Sequence, residues 1–72
     1  MNLTQAKKIA INLLIKENLG VFNLSGLEVS EESKSKVDVF LGGVDYIDDG
    51  DDVSSVFLLY CYKNGNIEME WS

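Results

Sequence analysis

The sequence predicts an α+β fold in which an N-terminal helix packs on a curved four-stranded antiparallel β-meander, in the order α-β-β-β-β. Three observations carry this reading. A single amphipathic stretch opens the chain, everything after Gly20 reads as strand and turn, and Asn64-Gly65 separates two strand-like segments. The 72 residues make one domain, 1–72, whose small core leaves a thin stability margin and makes association worth considering.

The helix is expected over about residues 4–18. Leu3, Ala6, Ile9, Ala10, Leu13 and Leu14 recur at helical spacing, Thr4 or Asn2 can cap the start, and Gly20 sits where a glycine stop belongs. Ile11 and Ile15 fall outside that arc, so the helix is more apolar than one buried face requires. Lysines precede the apolar stretch as they would in a signal peptide. Asn12 interrupts it, however, and no small-residue cleavage site follows, so a helix is the reading.

In the first strand, VFNLSGLEV, a bulge at Ser25-Gly26 lets Leu27 and Val29 rejoin the side of Phe22 and Leu24. In the second, VDVFLGGVDYI, a bulge at Gly42-Gly43 would return Val44 and Tyr46 to the side of Val37, Val39 and Leu41. That leaves Asp38, Phe40, Asp45 and Ile47 on the other side. Asn64-Gly65 suits a two-residue type I′ hairpin, which sets Leu58 against Trp71, Tyr60 against Met69 and Tyr62 against Ile67. Residues 56–63 are then central, being apolar on both faces, and residues 66–72 form an edge.

In this register Phe40, Phe57, Leu59 and Cys61 lie on the sheet face away from the helix, with nothing in the chain to cover them. An apolar patch of that kind marks an interface, and a homodimer is its simplest form. A one-residue error in bulge placement would make the same residues core.

Charge supplies the second clue. The net charge is −6, with three lysines against Glu17 in residues 1–20 and three lysines against eleven acids in residues 21–72. Such a field opposes direct nucleic-acid or anionic-membrane binding and favours basic partners. The sharpest feature is DYIDDGDD, five aspartates in eight positions: Asp45, Asp48, Asp49, Asp51 and Asp52 around Gly50. As a calcium loop it has Asp49 and Gly50 at the fifth and sixth positions, but Ile47 and Val56 stand where ligands are required. A solvated hairpin turn explains Gly50 and one or two aspartates. It explains five less well, since clustered like charges repel, and the alternative joins the loop to Glu28, Glu31, Glu32 and Asp38 as an acidic surface for a basic partner.

Catalytic, cofactor and metal signatures are not expected. The chain has no histidine or arginine, and its single cysteine, Cys61, sits mid-strand between tyrosines where a buried inert thiol is usual. One cysteine allows no intrachain disulfide, which suits a reducing cytoplasm, and no run is long enough to cross a membrane.

The expected function is therefore non-enzymatic. It is that of a small acidic cytoplasmic factor, of the inhibitor, antitoxin or immunity type or carried by a phage or mobile element against a defence system. It would occlude a basic surface, such as a nucleic-acid-binding site, on a larger protein. The aspartates of DYIDDGDD would steer and pair while Tyr46 or Trp71 anchors. The rival expectation is a structural module that dimerises through the second sheet face, its acidity serving only solubility.

Overall fold

The computed structural model describes residues 1–72, an N-terminal helix packed on an open four-stranded antiparallel sheet. The elements are α1 (Leu3–Lys16), β1 (Phe22–Val29), β2 (Val37–Asp48), β3 (Asp51–Tyr62) and β4 (Ile67–Trp71), with strand order β1-β2-β3-β4. The meander, its central β3 and its edge β4 are as the sequence predicts. No helix is long and apolar enough to cross a membrane.

Asn2 caps the helix: its side chain accepts from the Gln5 N–H, and the Gln5 side chain accepts from the Asn2 N–H, both at 2.9 Å. The stop comes earlier than Gly20 implies. Asn18 takes the left-handed conformation at φ 64°, one of the few residue types that tolerates it, and the helix closes at Lys16. Ala6, Ala10 and Leu14 are fully buried against the sheet, the two alanines letting the backbones approach. Ile9 and Leu13 flank them, Ile11 is half-buried, and Ile15 is 61% exposed.

The bulge in β1 is present. Pairing shifts between Leu24 and Gly26, so Phe22, Leu24, Leu27 and Val29 share the helix side. The bulge expected in β2 is absent, because β2 and β3 pair without interruption from Val37↔Tyr62 to Asp48↔Asp51. Gly42 has a different purpose. It lies opposite Phe57, and a Cβ there would sit 2.3 Å from the aromatic ring. Glycine lets Phe57 lie flat across β2 instead of breaking its register.

The two-residue type I′ turn expected at Asn64-Gly65 occurs instead at the other hairpin. Asp49 and Gly50 both have positive φ, 51° and 82°, and together make the two-residue type I′ turn between β2 and β3. At the β3–β4 turn only Gly65 has positive φ, the Gly65 N–H donates to the Tyr62 carbonyl, and Tyr62 pairs with Asn66. This is a three-residue loop, Lys63-Asn64-Gly65, with glycine in the bulge position.

That one extra residue inverts the sheet. Phe57 now faces Trp71, Leu59 faces Met69 and Cys61 faces Ile67, while Glu68 and Glu70 face Tyr60 and Leu58. A register slip of one residue moves every side chain of a strand to the other face. The core beneath the helix is accordingly Phe40, Val44, Phe57, Leu59 and Cys61, together with Ala6, Ala10 and Leu14.

Candidate functional site

The expected oligomer interface is corrected by this geometry. Phe40, Phe57, Leu59 and Cys61 are each at most 2% exposed and form the core under the helix, so they offer no surface to a second chain. Burial pushes the Cys61 thiol above its ordinary range, with the nearby Asp38 charge acting in the same direction and the terminal amine opposing it. A raised thiol pKa means less nucleophilic thiolate.

The uncovered face is made of the intervening residues. Leu41 from β2 and Val56, Leu58, Tyr60 and Tyr62 from β3 form its apolar strip, and no element packs over them. Tyr60 and Tyr62 stack with ring centroids 6.4 Å apart and planes 17° from parallel. At one end of the strip Val39 is shut in, 1% exposed, where the Ser33 hydroxyl bonds both its N–H and its carbonyl at 3.0 Å.

Acids border this strip along both flanking strands and toward the β2–β3 turn. Glu28 projects from β1 beside Leu41, Glu68 and Glu70 stand along β4, and Asp45 and Asp52 lie toward the β2–β3 turn. Glu32, in the β1–β2 connection, is near enough for its charge to act on Tyr60. Desolvation raises both tyrosine pKa values first, and the Glu70 and Glu68 carboxylates add to the effect at Tyr60 and Tyr62 respectively. The Tyr62 hydroxyl reaches Glu68 at 3.4 Å. None of the four strands contains a lysine: Lys7, Lys8 and Lys16 ride on the helix, and Lys34, Lys36 and Lys63 occupy connections. The sheet itself thus carries no cationic side chain, while carboxylates line the flanks of its open face.

The aspartate segment is a projecting finger. β1 begins opposite Tyr46 and β4 ends opposite Phe57, so residues 47–53 form a two-stranded ribbon without lateral neighbours, at the end of a molecule 42 Å long. Its carboxylates do not converge. Asp48 and Asp51 face each other on the helix side, Asp45 and Asp52 lie on the open side, and Asp49 sits in the turn. Asp45 accepts a 2.7 Å hydrogen bond from the Ser54 hydroxyl. No group of three or more Asp, Glu, Cys or His side chains anywhere in the chain could hold a metal ion.

Three further residues sit apart from where the sequence grouping put them. Asp38 lies at the opposite end of β2 from the finger. There the terminal amine at 3.2 Å and Lys63 at 3.6 Å compensate its charge, and the amine's hydrogen bond, above all, holds its carboxyl below the ordinary range. Tyr46 and Trp71 are on the helix side, Trp71 packing edge-on to Phe57 with centroids 5.8 Å apart and remaining 37% exposed. They flank the helix end rather than the acidic face. Sequence reasoning missed Leu41, Val56, Leu58, Tyr60 and Tyr62 as surface. The available signal was the tyrosines themselves, which carry a hydroxyl that prefers water, opposed to Phe, Leu and Cys on the dry side.

Compared with protein-family models, curated proteins and solved structures, the chain shows no significant match to any of them.

Proposed function

We propose that the protein is a small acidic binding factor that docks its open sheet face on a basic surface of a larger protein and occludes it. The observation that supports this reading is the apolar strip of Leu41, Val56, Leu58, Tyr60 and Tyr62 with carboxylates along both flanking strands and toward the finger. Aromatic and aliphatic side chains at the centre of a patch supply desolvation energy, and a charged rim supplies steering and register. The finger extends the same field outward: Asp45 and Asp52 continue the rim, while Asp48, Asp49 and Asp51 meet the partner first and raise the association rate.

Charge argues against a second copy as the occupant. Two open faces brought together would oppose Glu28, Glu68 and Glu70 with their own equivalents in chains that each carry −6. A lysine- or arginine-rich site meets no such penalty, and a nucleic-acid-binding surface is one that presents such residues.

The test is capture from nuclease-treated host lysate with three baits: the wild type, Leu58→Lys, and a finger with its five aspartates changed to asparagine. Wild type should retain a basic protein whose activity falls on stoichiometric addition of the factor. Leu58→Lys should lose it, and the asparagine finger should bind it more slowly with a weaker dependence on salt. Equal capture by wild type and Leu58→Lys would remove the open face from consideration.

A further inference from the structure

The β4 edge has an arrangement that says how such a partner engages. Tyr62 N–H donates to the Asn66 carbonyl and Ser72 N–H donates to the Val56 carbonyl, and the pairing between them is regular. In an antiparallel ladder hydrogen-bonded pairs alternate with non-bonded ones, so Glu68 and Glu70 also bond inward to β3. The N–H and carbonyl groups of Ile67, Met69 and Trp71 therefore point outward, and no strand lies beyond them. The opposite edge differs: β1 carries the bulge at Ser25, which interrupts its outward ladder.

We propose that β4 receives a fifth strand from the partner, an extended segment in which lysine or arginine alternates with an apolar residue. This rests on the binding reading above and assigns its mode. Backbone groups of Ile67, Met69 and Trp71 supply the hydrogen bonds, as in strand addition generally. On the open face, basic side chains of the added strand stand opposite Glu68 and Glu70. These positions form non-bonded pairs with respect to the new strand, where side chains approach closest. On the helix side, the apolar residues extend the row of Ile67, Met69 and the partly exposed Trp71. A second copy of β4 does not fit. Antiparallel self-pairing would set Glu68 and Glu70 against each other, and like charges directly opposed destabilise a pair.

Two synthetic peptides of identical composition test this, one alternating lysine with valine and one with the same residues in two blocks. The readout is amide exchange by NMR. The alternating peptide should slow exchange at Ile67, Met69 and Trp71 at least about tenfold, and the block peptide should not. A chemically synthesised chain N-methylated at the Met69 amide keeps every side chain and loses one outward donor. It should bind the alternating peptide about tenfold more weakly, the equivalent of one hydrogen bond. Equal protection by both peptides, or none by either, overturns the proposal and leaves Glu68 and Glu70 as guards of an edge that stays free. Capture of a basic protein that Leu58→Lys abolishes but N-methylation leaves unchanged would overturn strand addition while keeping the open face. Absence of any captured basic protein would fail the binding reading alone, because the peptide experiment reads the edge independently.

Discussion

β3 contributes to both faces of the sheet in strict alternation: Phe57, Leu59 and Cys61 look toward the helix, and Leu58, Tyr60 and Tyr62 look away. Both sets are apolar enough to be core. What separates them is the partner strand. β4 brings Ile67, Met69 and Trp71 to the first set and Glu68 and Glu70 to the second, so one face closes dry and the other keeps a rim that stays in water. The lesson is that burial here is decided across the strand pair and not within a strand.

That comparison is sharpest at neighbouring leucines. Leu59→Ala should lower stability by about 2–5 kcal/mol, the range for an emptied core site. Leu58→Ala should lower it by roughly 1 kcal/mol or less, since the side chain is only partly removed from water. Urea denaturation of the two variants checks this, and similar losses would mean that the open face is covered.

The glycine pair offers a second contrast. Gly42→Ala places a methyl against the Phe57 ring, which the core holds, and should be destabilising by about 1–3 kcal/mol. Gly43→Ala meets the Ser25 hydroxyl at 2.7 Å and the Ser55 carbonyl only at an ordinary 3.9 Å. The hydroxyl can rotate away, so a shift in melting temperature several-fold smaller is expected. Adding Ser25→Ala should abolish it.

A third contrast sets Asp38, compensated by cations, against Asp45, which rests on a neutral hydroxyl. The Asp38 carboxyl is depressed in the folded state. Its contribution is thus complete above the unfolded value, near pH 4, and is lost as pH falls through the lower folded value. The stability difference between wild type and Asp38→Asn should therefore be constant at neutral pH and shrink below about pH 4, as followed by thermal melts across that range.

The smallest effect belongs to the finger. Asp48 and Asp51 stand directly opposite, so Asp51→Lys converts a repulsive pair into an attractive one and should raise the melting temperature slightly at low salt. High salt should erase the gain. A fall in melting temperature would show that the paired carboxylates are held by something other than their turn.

Much of the fold was legible because its signals are local. The helical arc from Ala6 to Leu14, the bulge at Ser25 and the central place of β3 follow from periodicity and turn chemistry along the chain. The faces were harder to read, since Asn-Gly fits both a two-residue and a three-residue hairpin, and adding Lys63 to the loop reverses which residues meet. Gly42 and Gly43 misled for a related reason. A glycine between strand residues signals either a bulge or close approach, and only the position of Phe57 decides. The aspartates stood out in the sequence, yet their divergence around a two-residue turn depends on β2 and β3 pairing to their ends.

The overhang of β2 and β3 also divides the protein into parts that open at different free energies. The ribbon of residues 47–53 has neither helix nor flanking strand to hold it, whereas Phe40 and Leu59 separate only when the core does. Its amides should exchange by local fraying and those of the core by global unfolding. The acidic tip can therefore open and close without disturbing the pairing of Phe40 with Leu59 behind it.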